Sequence, residues 1–274
     1  MATDPNFANV EILTDFDGTL GSTHAWDQST KGHALLFQGN AKIDTSQFKF
    51  GTASLYLDGT TDWVETPDDA SLELGSGDFT LEGHFRFETV KASDQHLIGK
   101  WRDGSSEKSY AIVHTGSGTN LLELRLSSDS STTTTKISAS WTPTVDTWYH
   151  VAADWDGTTY RLYVDGSVLG TGTTVVALAD DVAGFSIGGE EADGAKPFNG
   201  WVDEPRLTVG VSRYGGAFTA PTAAYPRPEE ARAYKGTTYV VYSPFSDLGP
   251  VTYKGASYVV YYPVPKRYTM INCM

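Results

Sequence analysis

The chain has 274 residues, a length that fits one large all-β domain with an appendage or two smaller domains. With 20 basic and 34 acidic residues its net charge is -14, which disfavours nucleic acid as a partner and insertion into anionic membrane surfaces. Its one cysteine, Cys273, excludes an intramolecular disulfide and a cysteine-based metal cluster.

Apolar and polar residues alternate along most of the chain, and no window of a dozen residues keeps the i, i+3, i+4, i+7 apolar stripe of a helix. About fourteen strands are therefore predicted, too many for one open sheet, so two stacked antiparallel sheets are expected. The predicted strands are Val10 to Phe16, Ala34 to Phe37, Ser54 to Leu57, Trp63 to Thr66, Phe79 to Phe87, His96 to Gly99, Tyr110 to His114, Leu121 to Ser127, Thr134 to Trp141, Trp148 to Trp155, Tyr160 to Val164, Ser167 to Leu169, Ala183 to Ile187 and Gly200 to Leu207.

Two Asp-Gly pairs, Asp156-Gly157 and Asp165-Gly166, separate alternating runs between Trp148 and Leu169. An Asp-Gly pair in this setting is a strong hairpin signal, because a type I′ turn needs a positive φ at both central residues. The centre of the chain is therefore predicted to be an antiparallel meander.

Regular alternation ends after Tyr214 in a proline-containing segment, which places a domain boundary near Pro226. Beyond it, YKGTTYVVYSP at 234–244 recurs as YKGASYVVYYP at 253–263. Two such units cannot bury a core, so the tail, 227–274, is predicted to dock on its own sandwich, on a second copy or on a larger assembly. The tyrosines predicted to serve in assembly are Tyr234, Tyr239, Tyr242, Tyr253, Tyr258 and Tyr261.

The run from Phe48 to Glu82, FKFGTASLYLDGTTDWVETPDDASLELGSGDFTLE, resembles the opening of a laminin G-like domain of the concanavalin A-like jelly-roll superfamily. Later motifs follow in the order of that family: WYHVA at Trp148, LYVDG at Leu162, SIGG at Ser186 and FNGWVDEPRL at Phe198. The resemblance covers most of the chain, from about Val10 to Pro226. It implies an all-β, two-sheet antiparallel jelly-roll sandwich over residues 1–226 with a short β-rich tail.

A narrower resemblance is to the versions of this domain in tailed-phage structural proteins. It is carried by these residues: Phe16-Asp17-Gly18, Gly21-Ser22-Thr23, Gly39-Asn40-Ala41, Lys49-Phe50-Gly51, Gly210-Val211, Arg213-Tyr214, Phe218-Thr219, Pro221 and Tyr225-Pro226. The resemblance implies a virion component that is assembled in the host cytoplasm, with capsid or tail proteins as partners and a homo-oligomeric state. The N-terminus lacks the basic start and apolar centre of a signal peptide, in keeping with cytosolic folding.

Glycanases of the same superfamily carry paired carboxylates as Glu-x-Asp-x-Glu on one strand, at the separation of about 5 to 5.5 Å that retaining hydrolysis needs. This triplet is absent from the sequence. The nearest approximations are Glu190-Glu191-Ala192-Asp193, in a glycine-flanked loop, and Asp203-Glu204, whose side chains are expected on opposite faces. The six histidines, including His150, show no metal-ligand spacing, so catalysis is not expected.

Asp203 is expected to pair with Arg206 or to cap backbone groups. The alternative is a structural calcium site, in which Asp17, Asp58 and Asp203 meet where the chain ends come together, because hard oxygen ligands suit that ion. The first interpretation is favoured, since a calcium site needs about six or more oxygens.

Sugar binding requires an aromatic face and polar groups that hydrogen-bond hydroxyls. The candidates in predicted loops or strand ends are Trp101, Arg102, Asp103, Trp141 and Glu190. The tryptophans within predicted strands, at positions 63, 148, 155 and 201, are interpreted as core or structural surface.

Two functions follow from this reading. The first is a non-enzymatic structural virion protein that decorates a capsid or forms part of a tail or fibre and displays a glycan-binding face. The alternative is a lectin-like adhesion module that binds a cell-surface glycan, with a glycan hydrolase as a distant third. The duplicated tail favours the first, and an exposed aromatic cluster would favour the second.

Overall fold

The structure is a computed structural model that describes residues 4–132, 134–173 and 177–227, together with five strands between residues 230 and 272. The chain divides into two compact units: Ala8–Tyr225, and a second made up of Met1–Phe7 and Pro226–Met274. Within the described residues the only helical elements are two short 3-10 helices, Phe7–Asn9 and Ala70–Leu72. Neither of these short helices could span a lipid bilayer, and the described residues contain no other helix.

Fifteen strands make up the larger unit. They are β1 (Val10–Leu13), β2 (Leu36–Gln38), β3 (Lys42–Asp44), β4 (Ser54–Asp58), β5 (Trp63–Thr66), β6 (Phe79–Phe87), β7 (Gln95–Arg102), β8 (Glu107–His114), β9 (Leu121–Leu126), β10 (Thr134–Ser140), β11 (Trp148–Trp155), β12 (Tyr160–Val164), β13 (Ser167–Gly172), β14 (Phe185–Ile187) and β15 (Asn199–Val209).

These strands form two antiparallel sheets. Sheet 1 has the order β13-β12-β11-β6-β15-β4-β3, with β1 also paired to β15, and sheet 2 has the order β10-β9-β8-β7-β14-β5-β2. The two-sheet all-β sandwich predicted from the alternation is therefore confirmed. β3 is a strand that the pattern did not predict, and β1 ends at Leu13 instead of Phe16, whose positive φ of 52° leaves the extended region.

The two Asp-Gly turns differ in backbone conformation. At Asp165-Gly166 both residues have a positive φ, 48° and 77°, as a type I′ turn requires. At Asp156-Gly157 only the glycine does, because the Asp156 carboxylate instead accepts the N–H groups of Thr158 and Thr159. Both turns still connect antiparallel neighbours, so the predicted meander of β11, β12 and β13 is confirmed.

The core lies between the sheets and is built by alternate residues of each strand. On β6, Leu81, Phe85 and Phe87 belong to the core cluster, whereas the intervening Glu82 and His84 face away from it. Sheet 2 contributes residues such as Ile98, Ile112 and Leu124 to the same cluster. Sheet 1 thus has an outer face whose side chains do not pack in the core.

A bulge in β15 divides this outer face. The first half of the strand pairs with β4 over Asn199–Val202, and the second half pairs with β1 over Arg206–Thr208. Between them the register with β6 shifts and Glu204 adopts a positive φ of 49°. The shift lets both Asp203 and Arg206 reach the outer face, opposite His84 and Glu82 respectively.

The five remaining strands form two small sheets in the second unit. β16 (Glu230–Tyr234) pairs with β17 (Thr237–Val241), and β18 (Val251–Tyr253), β19 (Ala256–Tyr261) and β20 (Thr269–Asn272) form a three-stranded sheet. Equivalent positions of the sequence duplication pair in equivalent hairpins, Tyr234 with Thr237 and Tyr253 with Ala256. Among the assembly tyrosines, Tyr239 lies in β17 and both Tyr258 and Tyr261 lie in β19, while Tyr242 is outside the described residues.

Candidate ligand-binding face

Three of the five predicted sugar-binding residues, Trp101, Asp103 and Glu190, come together where β7 ends. Trp101 Nε1 donates to Asp103 Oδ1 at 2.9 Å, and the Asp103 N–H donates to Glu190 Oε2 at 2.9 Å. Lys196 forms ion pairs with both carboxylates. Arg102 makes a separate ion pair with Glu107, 3.0 Å apart. The cluster ties the loop after β7 to the loop between β14 and β15.

This cluster has no exposed aromatic face. β7 continues to Arg102, so Trp101 lies within the strand and not in a loop, and it is fully buried against Ala111 and Val113. Glu190 is also fully buried, and burial raises its pKa although Lys196 and the Asp103 N–H act in the opposite direction. The structure therefore contradicts the expectation that Trp101 presents a platform for sugar.

Trp141, the fifth candidate, is not among the partners of that cluster. Its ring packs edge-on against Phe87, His114 and Tyr149, with centroid distances of 5.8, 5.7 and 5.2 Å. It is half-buried beside the core. Its contacts are those of a packing residue.

Two of the three proposed calcium ligands hold loop backbone. Asp17 Oδ1 accepts the N–H groups of Thr52 and Ala53 at 2.6 and 2.9 Å. Asp203 Oδ2 accepts the N–H groups of Lys49 and Phe50 at 2.8 and 2.9 Å. Asp203 thus caps backbone groups, one of the two structural roles predicted for it, while Arg206 pairs with Glu82 instead.

The third carboxylate, Asp58, accepts hydrogen bonds from Thr60 and from the Asn40 side chain. Its backbone N–H donates to Asp62. Among the described residues, no group of three or more histidine, cysteine, aspartate or glutamate side chains is arranged to hold a metal ion. The geometry gives Asp17, Asp58 and Asp203 separate structural roles.

We expect Asp203→Asn to stabilise the protein at pH 7. Burial raises the pKa of Asp203 well above its usual range, more than the Lys49 and Phe50 N–H groups lower it, and Oδ1 has no partner. A carboxyl whose pKa is higher in the folded state costs stability as the pH rises above about 3.9. The amide cannot ionise and keeps one oxygen for the two N–H groups, so denaturant unfolding should show a gain in stability at pH 7 that disappears as the pH falls towards about 3.9. A loss of stability, together with a dependence on added calcium, would instead assign Asp203 to a metal site.

The middle of the outer face of sheet 1 is a buried hydrogen-bonded network centred on Glu82. Arg206 donates to Oε1 through Nε at 2.8 Å, while Tyr214 and Tyr225 donate to Oε2 at 2.5 and 3.0 Å. His150 Nε2 lies 3.0 Å from the same oxygen. Burial alone raises the pKa of Glu82, but Arg206 and the hydrogen bonds outweigh it and hold this pKa well below its usual range. Glu82 is therefore an ionised, fully partnered carboxylate.

The segment that follows β15, residues 211–225, covers this network. Tyr214 stacks on Phe218 with centroids 3.5 Å apart, and Ser212 and Gly215 both donate to Asp154. Tyr214 and Phe218 belong to the C-terminal motifs that carried the resemblance to phage structural proteins. The motifs therefore encode a cover over the sheet.

The adjacent part of the outer face carries a row of aromatic and basic side chains, one from each of five neighbouring strands. Paired positions place Lys42 beside Tyr56, Tyr56 beside Trp201, Trp201 beside Arg86, and Arg86 beside Trp148. We call these five residues the aromatic row. At the usual strand spacing of 4.7 to 4.9 Å it spans roughly 19 Å across the sheet.

Four of the five side chains in the aromatic row contact one another, and Trp148 is placed beside Arg86 by strand register. The Tyr56 and Trp201 rings have centroids 5.0 Å apart, the Arg86 guanidinium lies 5.1 Å from the Trp201 ring, and Lys42 Nζ lies 5.5 Å from the Tyr56 ring. Trp201 is 8% exposed, Tyr56, Arg86 and Trp148 are half-buried, and Lys42 is exposed. None of the three aromatic residues belongs to the core cluster or packs against it.

Carboxylates surround the aromatic row. The Tyr56 hydroxyl donates to Glu88 at 2.9 Å, Trp201 Nε1 donates to Asp44 at 3.2 Å, and Arg86 pairs with Asp146. Burial, and then Glu88, raise the pKa of Tyr56 to about 12, so its hydroxyl is protonated at neutral pH. Aromatic faces bordered by hydrogen-bonding groups can hold the apolar face and the hydroxyls of a sugar.

Sequence reasoning missed this surface because Trp148 and Trp201 were assigned to core or structural surface. A signal was present in the alternation, since each outward aromatic residue is followed two positions later by a polar one: Asp58 after Tyr56, His150 after Trp148 and Asp203 after Trp201. The sheet pairing that aligns them was not deducible from local pattern.

Comparisons with known proteins concern the sandwich. A family model described as the concanavalin A-like lectin/glucanases superfamily matches residues 58–210. No curated protein sequence matches the chain significantly.

Three solved structures show how widely this fold is shared. The binding domain of Paraclostridial Mosquitocidal Protein 1 has 13% identity and a TM-score of 0.58, over 78% of this chain and 50% of that one. The binding domain of botulinum neurotoxin DC, solved in complex with SialylT, has 12% identity and a TM-score of 0.56, over 74% and 48%. Domain 4 of AbnA, an arabinanase of Geobacillus stearothermophilus, in complex with arabinotriose, has 18% identity and a TM-score of 0.53, over 77% and 95%. The chain thus spans about half the length of the first two.

Proposed function

Since the chain belongs to the concanavalin A-like lectin/glucanases superfamily, as its motifs predict and the match over residues 58–210 confirms, we propose that it is a non-catalytic carbohydrate-binding module whose ligand lies on the aromatic row. The observation that carries this proposal is the alignment of three aromatic rings outside the core. Sugar rings present an apolar face to such rings, and their hydroxyls can bond to the neighbouring polar groups.

The solved relatives support a binding role. Two of the three are binding domains of toxins, and domain 4 of the arabinanase was solved with a bound arabino-oligosaccharide. At these identities the likeness concerns the fold, so the location of the site comes from this chain's own residues.

The ion pairs and hydrogen bonds that the acidic residues form support a protein that binds carbohydrate without hydrolysing it. Retaining glycosidases keep two carboxylates about 5 to 5.5 Å apart at the scissile bond. Here Glu190 is buried against Lys196, Asp203 accepts two backbone N–H groups, and Glu204 accepts the Tyr225 N–H at 3.1 Å. These three of the five carboxylates that the sequence singled out are committed to structural partners.

Binding on the aromatic row is tested by alanine substitution. We expect Tyr56→Ala or Trp148→Ala to weaken binding to any glycan that the wild-type chain retains on an array by at least about tenfold, because aromatic anchors dominate binding energy. Trp26→Ala is the matched control, since Trp26 is an exposed tryptophan outside the row. If Trp26→Ala removes binding and the two row variants keep it, the row is not the site.

A second observation, the duplicated hairpins after Pro226, favours a place on a virion. We propose that the module is carried on the particle of a tailed phage and joins capsid or tail proteins, or further copies of itself, through the tyrosines of these hairpins. The motif resemblance over residues 16–226 supports the same assignment. Imaging of the native particle should show β17 or β19 extending a sheet of a neighbouring subunit. A particle that lacks the chain, or a tail without contacts to other subunits, would contradict it.

A further inference from the structure

We infer that the aromatic row selects an uncharged, extended oligosaccharide that lies across the five strands. This inference rests on the proposed function and adds the charge and the shape of the ligand. It follows from the electrostatics of the row and from its length.

Of the two cations of the row, only Arg86 is paired with a carboxylate. Arg86 pairs with Asp146 and lies over the Trp201 ring, while Lys42 lies over the Tyr56 ring. An anionic ligand would have to compete with Asp146 for Arg86, and Lys42 acts electrostatically on Asp44 of the same strand.

The flanks of the row are acidic. Residues two positions along each strand point to the same face, so Asp44 borders the row on one side, and Asp58 and Glu88 border it on the other. Asn199 lies between Asp58 and Glu88, paired with the former in register and donating to the latter at 3.2 Å. With the two cations these groups leave the row net negative, like the whole chain at -14.

Such flanks favour hydroxyls and disfavour anions. Carboxylate oxygens accept hydrogen bonds from sugar hydroxyls, and bonds to charged acceptors are stronger than neutral ones. A uronate, a sialic acid or a sulfated sugar would instead bring like charges together. Neutral glycans are therefore preferred.

The length of the aromatic row indicates the length of its ligand. A single sugar ring covers one aromatic side chain, whereas the three rings of the row, from Tyr56 to Trp148, extend over roughly 14 Å. Trp148 and Tyr56 lie on opposite sides of the Trp201–Arg86 pair, so only a ligand of several rings contacts both. Affinity should therefore rise with chain length.

Calorimetry with the full chain tests both parts. The probes are four neutral hexasaccharides, cellohexaose, xylohexaose, mannohexaose and maltohexaose, their disaccharides, and two anionic probes, a galacturonate hexamer and sialyllactose. We expect at least one neutral hexasaccharide to bind at least tenfold more tightly than its own disaccharide and than both anionic probes. We also expect Glu88→Gln to narrow the difference between neutral and galacturonate hexamers severalfold, because it removes one repelling charge.

The outcomes separate the two proposals. If no probe binds, the proposed function fails with the inference. If an anionic probe binds most tightly and Tyr56→Ala abolishes that binding, the function stands and the preference for uncharged ligands is overturned. If a disaccharide binds as tightly as its hexasaccharide, the extended geometry is overturned.

Discussion

Replacing Glu82 with glutamine should lower the free energy of unfolding by about 3 to 5 kcal/mol, because it leaves the buried Arg206 guanidinium without its counter-charge. Glu82 is fully buried and holds Arg206, Tyr214 and Tyr225 at once. Its loss therefore weakens the cover formed by residues 211–225 as well as the sheet. Since its pKa is lowered in the folded state, its contribution is present above the ordinary glutamate pKa of about 4.3 and is lost as the pH falls below it.

The matched control for this prediction is Glu107→Gln, which removes a carboxylate from the partly exposed pair with Arg102. Its expected cost is no more than about 1 kcal/mol. A double-mutant cycle with Glu82→Leu and Arg206→Leu should give a coupling energy above about 1 kcal/mol in denaturant unfolding. If Glu82→Gln and Glu107→Gln lower the free energy of unfolding equally, the Glu82 network does not stabilise this face of the sheet. A double-mutant cycle without coupling energy would lead to the same conclusion.

Acidification from pH 8 to pH 5 should destabilise the protein by about 4 kcal/mol through two buried histidines. Burial, and then the nearby His150, lower the pKa of His84 to about 2, while burial, and then Lys196, lower the pKa of His96 to about 3. Both stay neutral in the folded state, whereas in the unfolded chain they take up a proton below about pH 6.5. Stability is therefore unchanged above that pH, and each histidine costs roughly 2 kcal/mol by pH 5.

The measured quantity is the slope of unfolding free energy against pH, and not the absolute stability, so a packing cost of the substitution does not obscure it. His84→Phe should remove about half of the slope between pH 6.5 and pH 5. His24→Gln, a change at an exposed histidine, serves as the control and should leave the slope intact. An unchanged slope in His84→Phe would mean that His84 takes up its proton without unfolding.

The fold could be predicted from sequence because the signal for it is local. Alternation of the kind seen in β6 and β11 fixes which residues face the core, and turn residues mark the strand ends. Strand boundaries were less accurate where a residue adopts an unusual backbone, as at Phe16. No local pattern indicated the short β3.

The candidate site was harder to predict because burial and sheet pairing are not local. Trp101 was expected in a loop or at a strand end with its ring available to a ligand, but β7 extends past it and its ring is buried. Trp201 was expected to be structural, yet it lies between Tyr56 and Arg86 only because β15 pairs with both β4 and β6. The same pairing brings Glu82 and Arg206, 124 positions apart, into contact.

The sandwich therefore uses one sheet face in two ways. Around Glu82 the face is covered by residues 211–225 and its polar groups bond to one another. Around Trp201, which is itself 8% exposed, the face carries the half-buried Tyr56 and Trp148 rings together with carboxylates. Substitutions that lower stability should therefore lie in the region around Glu82, and substitutions that weaken ligand binding should lie in the region around Trp201.

The most direct test of the binding site is an NMR titration of the tryptophan indole N–H signals with the neutral hexasaccharide that binds most tightly. The seven tryptophans report on each candidate surface separately. The aromatic row predicts that the Trp148 and Trp201 signals shift, while those of the buried Trp101 and of Trp26 stay in place. Shifts confined to Trp101 or Trp26 would contradict the assignment of the ligand to this face.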